Sequence, residues 1–305
     1  MRTQFAALLF GLGVSVAGVS CLPADDRPPP GSLLVTVSPS AAVSDGVTTS
    51  DGWAVSFERA IVAIGRVSLG DGCTEYGDAR YDRIIDAKAG SGQKVSIQFA
   101  LAQCSLGFRI TAPNADSLLG AGVTESDKTI MRTPGTDAYA TSAGISVMVR
   151  GAASKAGITK TFAWSFRVPL DYENCKVDVQ GATEDGVNLH SHEAVVYDVQ
   201  IAVERLLRDG IDEKTAQLRF GPFALADDQY GNGDGEVTLE ELAKVELAGL
   251  GNANPYAAGD AGTEPVTTMS DYVYRVQLPA IARFRGEGSC ELAKPDKGHH
   301  GPGMM

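Results

Sequence analysis

The sequence predicts a mainly β protein with a helical C-terminal part: an antiparallel β-sandwich with helices packed on it, α+β in class. Three observations carry that expectation. Short runs between Gly31 and about Val195 alternate apolar and polar residues with period two, which is the pattern of half-buried strands. Clusters such as Ser44-Asp45-Gly46 and Ala89-Gly90-Ser91-Gly92 separate the runs and supply turns. Past His190 the apolar spacing lengthens toward that of a helix.

Residues 1–21 read as a targeting segment. Arg2 gives a positive start, and Phe5 to Val19 is apolar but too short and too rich in small residues for a membrane span. The ending Gly18-Val19-Ser20-Cys21 resembles a bacterial lipoprotein signal, which implies cleavage before Cys21 and acylation of its sulfur. Gly18 departs from that pattern, where a larger aliphatic residue is usual. An ordinary secretory signal cut nearby is the other reading, and both export the chain. Residues 22–31, with Asp25, Asp26, Arg27 and Pro28 to Pro30, form a charged, proline-rich tether. A sandwich over 32–220, a loop with helices over 221–290 and a flexible tail over 291–305 complete the expected layout.

Net charge is -12, and no basic stripe interrupts it. Such a surface repels phosphate backbones, so nucleic acid is not an expected partner. Cys73, Cys104, Cys175 and Cys290 follow Cys21. In an exported chain an even set implies disulfides, and Cys73–Cys104 with Cys175–Cys290 is the pairing expected here.

The strands come in order. Leu33, Val35 and Val37 alternate first, then Trp53, Val55 and Phe57. Ala60 to Leu69 is more continuously apolar, as a strand covered on both faces would be. Val95, Ile97 and Phe99 follow, then Leu106, Phe108 and Ile110. Asn114 to Asp127 breaks the pattern, with a short helix near Leu118 and Leu119 or an extended loop as the options. Later runs are Ile145 to Val149, Phe162 to Val168, and Val177 with Val179. Val195 to Leu207 is close to a helical stripe, and Gln217 to Phe220 reads as a last strand. Leu239 to Leu250 reads as a helix, and a second follows Ser270, with Pro279 kinking or splitting it.

The most specific chemistry lies in residues 228–241, Asp-Gln-Tyr-Gly-Asn-Gly-Asp-Gly-Glu-Val-Thr-Leu-Glu-Glu. This stretch resembles an EF-hand calcium loop. Such a loop needs converging oxygens, a glycine for the sharp turn and a closing carboxylate. Gly235 fits the turn, Val237 the apolar anchor and Glu241 the closing position. In the twelve-residue frame Tyr230 holds the first position and brings no carboxylate. In a longer frame Asp228 takes that role, followed by Asn232, Asp234, the Glu236 carbonyl, Thr238 and Glu241. Gly221 and Pro222 make the entering side poor for a full helix, so the unit resembles a solitary, dockerin-like half-hand. What the resemblance implies is one weak calcium site acting as a brace.

Two other constellations concern transition metals. His190 and His192 would share one strand face if Val187 and Leu189 face the core, and two imidazoles so placed chelate copper or zinc. The tail adds His299, His300, Met304 and Met305, which suit copper. Phe162-Ala163-Trp164-Ser165-Phe166 and the four later cysteines distantly resemble the methanobactin-linked P type of secreted copper protein, although its cysteine spacing is not matched. The whole layout also looks like bacterial secreted lipoproteins carrying a calcium-type loop. No Gly-x-Ser-x-Gly, His-Glu-x-x-His or phosphate-binding glycine loop is present. The expectation is therefore a non-enzymatic cell-envelope binding or structural protein, tethered to a membrane by lipid and braced by calcium. Copper or zinc handling is the alternative, and a hydrolase on a sandwich scaffold the second.

Overall fold

The computed structural model describes residues 27–293, apart from 71, 80–81, 137–138, 140, 251–255 and 257–264. The targeting segment with Cys21, most of the tether and the tail with His299 and His300 lie outside the described residues. The main strands follow the alternation read in the sequence. They are β1 (Gly31–Pro39), β2 (Ala54–Leu69), β3 (Gln93–Cys104), β4 (Leu106–Ile110), β5 (Val147–Lys155), β6 (Ile158–Phe166), β7 (Leu170–Val179) and β8 (Ala194–Ile201). Three shorter strands are β9 (Glu236–Val237), β10 (Ala282–Phe284) and β11 (Ser289–Leu292).

The strands build two sheets. The first runs Val187–Leu189, β3, β1, β8, β10, with Thr74–Ala79 also bordering β3. The larger runs Ala182–Asp185, β7, β4, β2, β5, β6, β9, with β11 added on β7. Pairing is mostly antiparallel, but β8 joins β1 in parallel and β9 joins β6 in parallel. The inner faces meet in one apolar cluster that includes Leu33, Val35 and Val37 from β1 and Val55, Phe57, Val62 and Ile64 from β2. Phe220, Phe223, Leu242, Tyr272 and Leu278 from the C-terminal part belong to the same cluster.

The continuous apolar run in β2 has a clear cause. Its even-numbered residues Ala60, Val62 and Ile64 enter the main core, while Ile61 and Ala63 enter a second cluster with Ile84, Met131 and Ile145. Met131 comes from α1 (Glu125–Arg132). That helix starts where Thr124 and Asp127 form a reciprocal capping box, beyond the expected position. Leu118–Leu119 is a two-residue strand instead. Arg59 ties this layer together, bonding Asp86 at 3.0 Å and Asp127 at 2.8 Å.

Two expectations change in physical detail. In β3, Val35 of β1 faces Ser96 and Thr36 faces Lys94, so Val95 is an extra bulged residue. A bulge reverses the faces beyond it. Val95 is buried, but Ile97 and Phe99 are 38% and 40% exposed while Gln98 and Ala100 turn inward. The helical stripe expected over Val195 to Leu207 is strand β8 followed by a 3₁₀ turn at Val203–Leu207. Val195, Val196, Val199 and Ile201 are β-branched, and they suit a pleated surface beside β1 better than a helix.

The C-terminal chain returns to both sheets: β10 pairs with β8, and β11 pairs with β7. Leu218 forms only an isolated bridge to Arg208, not a strand. The helical run α4 (Met269–Tyr272) begins at Thr268, not Ser270, and Thr268 forms a capping box with Asp271. It continues as π and 3₁₀ turns through Ala280, with Pro279 in the last turn. Cys73 pairs with Cys104, and Cys175 with Cys290, each at disulfide distance, as the sequence led one to expect. A third tie is ionic. Glu213 accepts from Arg205 and Arg208, with Oε2 at 3.0 and 2.7 Å, and from Arg283 of β10, with Oε1 at 2.9 Å. Burial alone would raise the Glu213 carboxyl, but the three guanidinium groups outweigh it and hold the group down at about 2.

Two outcomes follow from these ties. Cys175→Ser/Cys290→Ser opens a loop of 115 residues and is expected to lower stability in urea melts by about 4–5 kcal/mol in the chain-entropy account. Glu213 has a depressed folded pKa of about 2. Its contribution is therefore complete above the unfolded value of ~4.3 and lost as pH falls toward 2. The stability difference between the parent chain and Glu213→Gln should be constant from pH 5 to 7 and shrink steadily between pH 4.5 and 2.

Candidate functional site

The calcium-type loop is stitched to the last long strand of the larger sheet. Along β6, Lys160, Phe162, Trp164 and Phe166 point inward. Beyond β6 the sheet would end in unpaired backbone, and β9, the middle of the loop, covers that edge. Thr161 faces Glu236 and Phe162 faces Val237. Thr161 N–H donates to the Gly235 carbonyl at 2.8 Å, and Trp164 Nε1 donates to the Val237 carbonyl at 2.8 Å. Val237 is fully buried, which fits its role as the anchor behind the loop.

The entering side is helical after all. Helix α2 (Gly221–Leu225) runs on as a π-helical turn over Ala226–Tyr230. Pro222 lies in the first turn, where its missing N–H breaks no bond and its fixed φ suits the helix. Asp51 caps this end from far away in sequence: its carboxylate accepts Gly221 N–H at 2.6 Å and Phe220 N–H at 3.2 Å. Phe220 and Phe223 are buried and stack on each other, and Phe223 meets Trp164. On the exit side, α3 (Leu239–Leu242) begins at Thr238 in a capping box with Glu241. It is one turn long, far shorter than the expected helix over Leu239 to Leu250.

The expected ligands occupy distinct positions. Tyr230 is part-exposed, and its carbonyl accepts from Lys244 at 3.1 Å. Asn232 Oδ1 receives Asp234 N–H at 3.2 Å, and Asp234 Oδ1 receives Glu236 N–H at 2.9 Å, a chain of Asx turns. Gly235 turns the chain at φ +90°, a left-handed conformation that glycine adopts without strain. Glu241 is buried. Its Oε2 takes Thr238 N–H at 3.0 Å and its Oε1 takes Asn232 N–H at 3.3 Å, so the closing carboxylate lies across the loop. A Cβ at Gly231 would collide with that carboxylate.

The two aspartates before the loop divide the remaining roles. Asp228 is at the rim with its side chain 54% exposed, and its Oδ1 lies 2.5 Å from Lys160 Nζ. Asp227, which neither sequence frame used, is completely buried. Its Oδ2 accepts Gly235 N–H at 3.0 Å and Lys160 Nζ at 2.5 Å. Its backbone carbonyl accepts Gly233 N–H at 3.1 Å. Its Oδ1 is buried with no hydrogen-bond partner among the described residues. Burial pushes the Lys160 ammonium down, but the two carboxylates outweigh it and raise it above its ordinary range. The sequence does carry a signal for Lys160. It continues the inward series 160, 162, 164, 166 on β6, and a lysine at a core-facing position demands carboxylate partners.

The donor set is all oxygen, which suits a hard cation such as calcium. The orphaned Asp227 Oδ1 is where such a cation would find an unsatisfied acceptor. No three side chains of His, Cys, Asp and Glu are gathered as a metal cluster among the described residues. A cation would thus draw on the loop's carbonyl, amide and hydroxyl oxygens as well as its carboxylates.

His190 and His192 do not share a strand face. The strand ends at Leu189, and His190 to Glu193 form a turn in which Glu193 N–H donates to the His190 carbonyl at 3.0 Å. His192 has φ +63° within it. The strand alternation that would have aligned the two imidazoles therefore stops before the first of them. A cleft of about 640 Å³ is lined by Lys176, Asp178, Glu213 and Arg283 among others, and no residue of the loop lines it. A cleft of about 330 Å³ does border the exit turn, at Thr238, Leu239 and Glu240, opposite Arg167 and Tyr274.

With this architecture the molecule belongs among mainly β, broadly α+β proteins. No family model matches the chain, and neither a curated protein nor a solved structure does.

Trp164→Phe keeps the ring in the core and removes the side-chain donor to the Val237 carbonyl. It should cost about 1–2 kcal/mol in urea denaturation. Hydrogen exchange should quicken at Thr161 and other amides on the β6–β9 seam more than at β2.

Proposed function

We propose that the protein is an exported, lipid-anchored cell-envelope protein of binding or structural type, with no catalytic role, whose loop takes one calcium ion as a brace. The observation that carries this reading is Asp227. Its Oδ2 is held by the loop's own Gly235 amide, and its buried Oδ1 has no hydrogen-bond partner among the described residues. In this reading Asp227 supplies the first carboxylate. Asn232, Asp234, the Glu236 carbonyl, Thr238 and Glu241 supply the rest, and Asp228 stays with Lys160 at the rim. When bound, calcium supplies positive charge to several loop oxygens at once and joins α2 to α3.

The chain's residues do the positioning. Asp51 and Pro222 set the start of α2, Trp164 and Val237 hold the loop to the sheet, and Thr238 starts α3. Such an ion ties the loop to the sandwich instead of opening a partner-binding groove. Export is supported by the two cysteine pairs, which suit an oxidising compartment. No helix among the described residues is long and apolar enough to cross a membrane. Attachment through a lipid on Cys21 is then the proposed link to the envelope.

Calcium titration of the full mature chain tests the brace. With a Kd on the order of 10⁻⁴–10⁻³ M, 10 mM calcium should stabilise it by roughly 1.4–2.7 kcal/mol, seen as a higher melting temperature. Asp234→Ala/Glu241→Ala should abolish the calcium-dependent rise whatever it does to the calcium-free melt. A parent chain whose melting temperature ignores 10 mM calcium would overturn the reading.

A further inference from the structure

We propose that Lys160 is a resident cation of the loop, and that its ammonium competes with calcium for the carboxylate of Asp227. The inference rests on the calcium reading above and concerns what sets the affinity of that site.

Four observations carry it. Lys160 projects from an inward position of β6 and is only 4% exposed, so its charge is committed to the protein interior. Its Nζ lies 2.5 Å from Asp227 Oδ2, the oxygen that also receives Gly235 N–H. A second carboxylate, Asp228, holds the ammonium from the rim at 2.5 Å. The remaining oxygen of the Asp227 carboxylate, Oδ1, is buried and has no hydrogen-bond partner among the described residues. One carboxylate therefore holds a fixed monovalent cation on one oxygen and keeps the other free of hydrogen bonds among the described residues.

Electrostatics makes the ammonium and calcium exclusive in degree. A divalent ion on Asp227 Oδ1 would lie a few ångströms from the Lys160 ammonium with little water between them, where like charges repel strongly. For calcium to bind, Lys160 must move outward along Asp228 or the site must tolerate the repulsion, and either weakens binding. With Lys160 in place the buried carboxylate is already neutralised, so the loop keeps its shape without metal. The lysine thus makes the brace weak and dispensable, where a strict calcium loop would lose its order on chelation. Asp228 has the complementary part: it is the rim position toward which Lys160 can withdraw.

The test compares calcium chloride titrations by calorimetry on the full mature chain, with circular dichroism to verify the fold. Lys160→Met should bind calcium at least about tenfold more tightly than the parent, because the repelling charge is gone and a buried carboxylate needs a partner. Its calcium-dependent rise in melting temperature should grow in step. Lys160→Gln, which keeps a donor for Asp227 without the charge, serves if the methionine variant does not fold without metal. Asp227→Asn should lose calcium binding in both backgrounds. Asp228→Ala, which removes the rim position, should weaken binding in the parent but not in Lys160→Met.

The outcomes separate the two readings. If the parent binds calcium and neither lysine variant binds it more tightly, Lys160 does not compete, and the brace alone stands. If only the lysine variants bind, the lysine has replaced calcium in the native chain, which supports the competition and overturns the brace. If none binds up to 10 mM calcium, both fail.

Discussion

The edge of β6 is the constraint on which the C-terminal part of the molecule depends. A long strand at the end of a large sheet offers a row of unpaired amides and carbonyls, and proteins rarely leave such a row open. Here two residues, Glu236 and Val237, cover it. So short a strand holds little by itself. It is kept in place by bonds from side chains and loop backbone: Trp164 to the Val237 carbonyl, Thr161 to the Gly235 carbonyl, and Lys160 to Asp227 and Asp228. On the other side of the loop, helix α2 packs Phe220 and Phe223 against Trp53, Phe162 and Trp164.

How much of this could be read from residues depends on the range of the interaction involved. Period-two alternation marks strands because each residue's face is set by its neighbours, and most strands were legible for that reason. The unbroken apolar run of β2 was legible too, since a strand between two cores has no polar face to show. The flip at Val95 was not, because a bulge is decided by the partner strand, and nothing local announces the extra residue. Across β8 and the turn after it, the valines at 195, 199 and 203 match a helical stripe, and the odd positions 195, 197, 199 and 201 match a strand equally well. The edge of β1 decided between them. Pro222 looked like a helix breaker and is a helix starter, because Asp51, some 170 residues away, caps the amides around it.

The same logic applies to the site. The loop itself was legible, since glycine, Asx residues and the closing glutamate sit at fixed offsets. The burial of Asp227 was not. The longer frame used Asp228 on spacing alone, and spacing cannot see that the chain enters as a π-helical turn. That turn buries Asp227 under Gly235 and leaves Asp228 at the rim. The two histidines miss a common strand face for a related reason: the face rule holds only within a strand, and the strand ends at Leu189.

A buried ammonium beside two carboxylates needs a reason to persist, because an apolar replacement of the same shape is often at least as stable. Register supplies one. The inward face of β6 is a row of aromatic rings, Phe162, Trp164 and Phe166, and such a row tolerates a slip of β9 by two residues, which preserves every face. Lys160 and Trp164 do not tolerate it. After a slip of two, the indole N–H would lose the Val237 carbonyl, and the ammonium would leave Asp227 buried without its counter-charge. Each loss costs more than the apolar contacts could return. The polar groups thus select one position of the loop from several that packing alone would accept. Once that position is chosen, the oxygens of residues 227–241 are presented in one order, and whatever cation they meet, lysine or metal, meets them in that order.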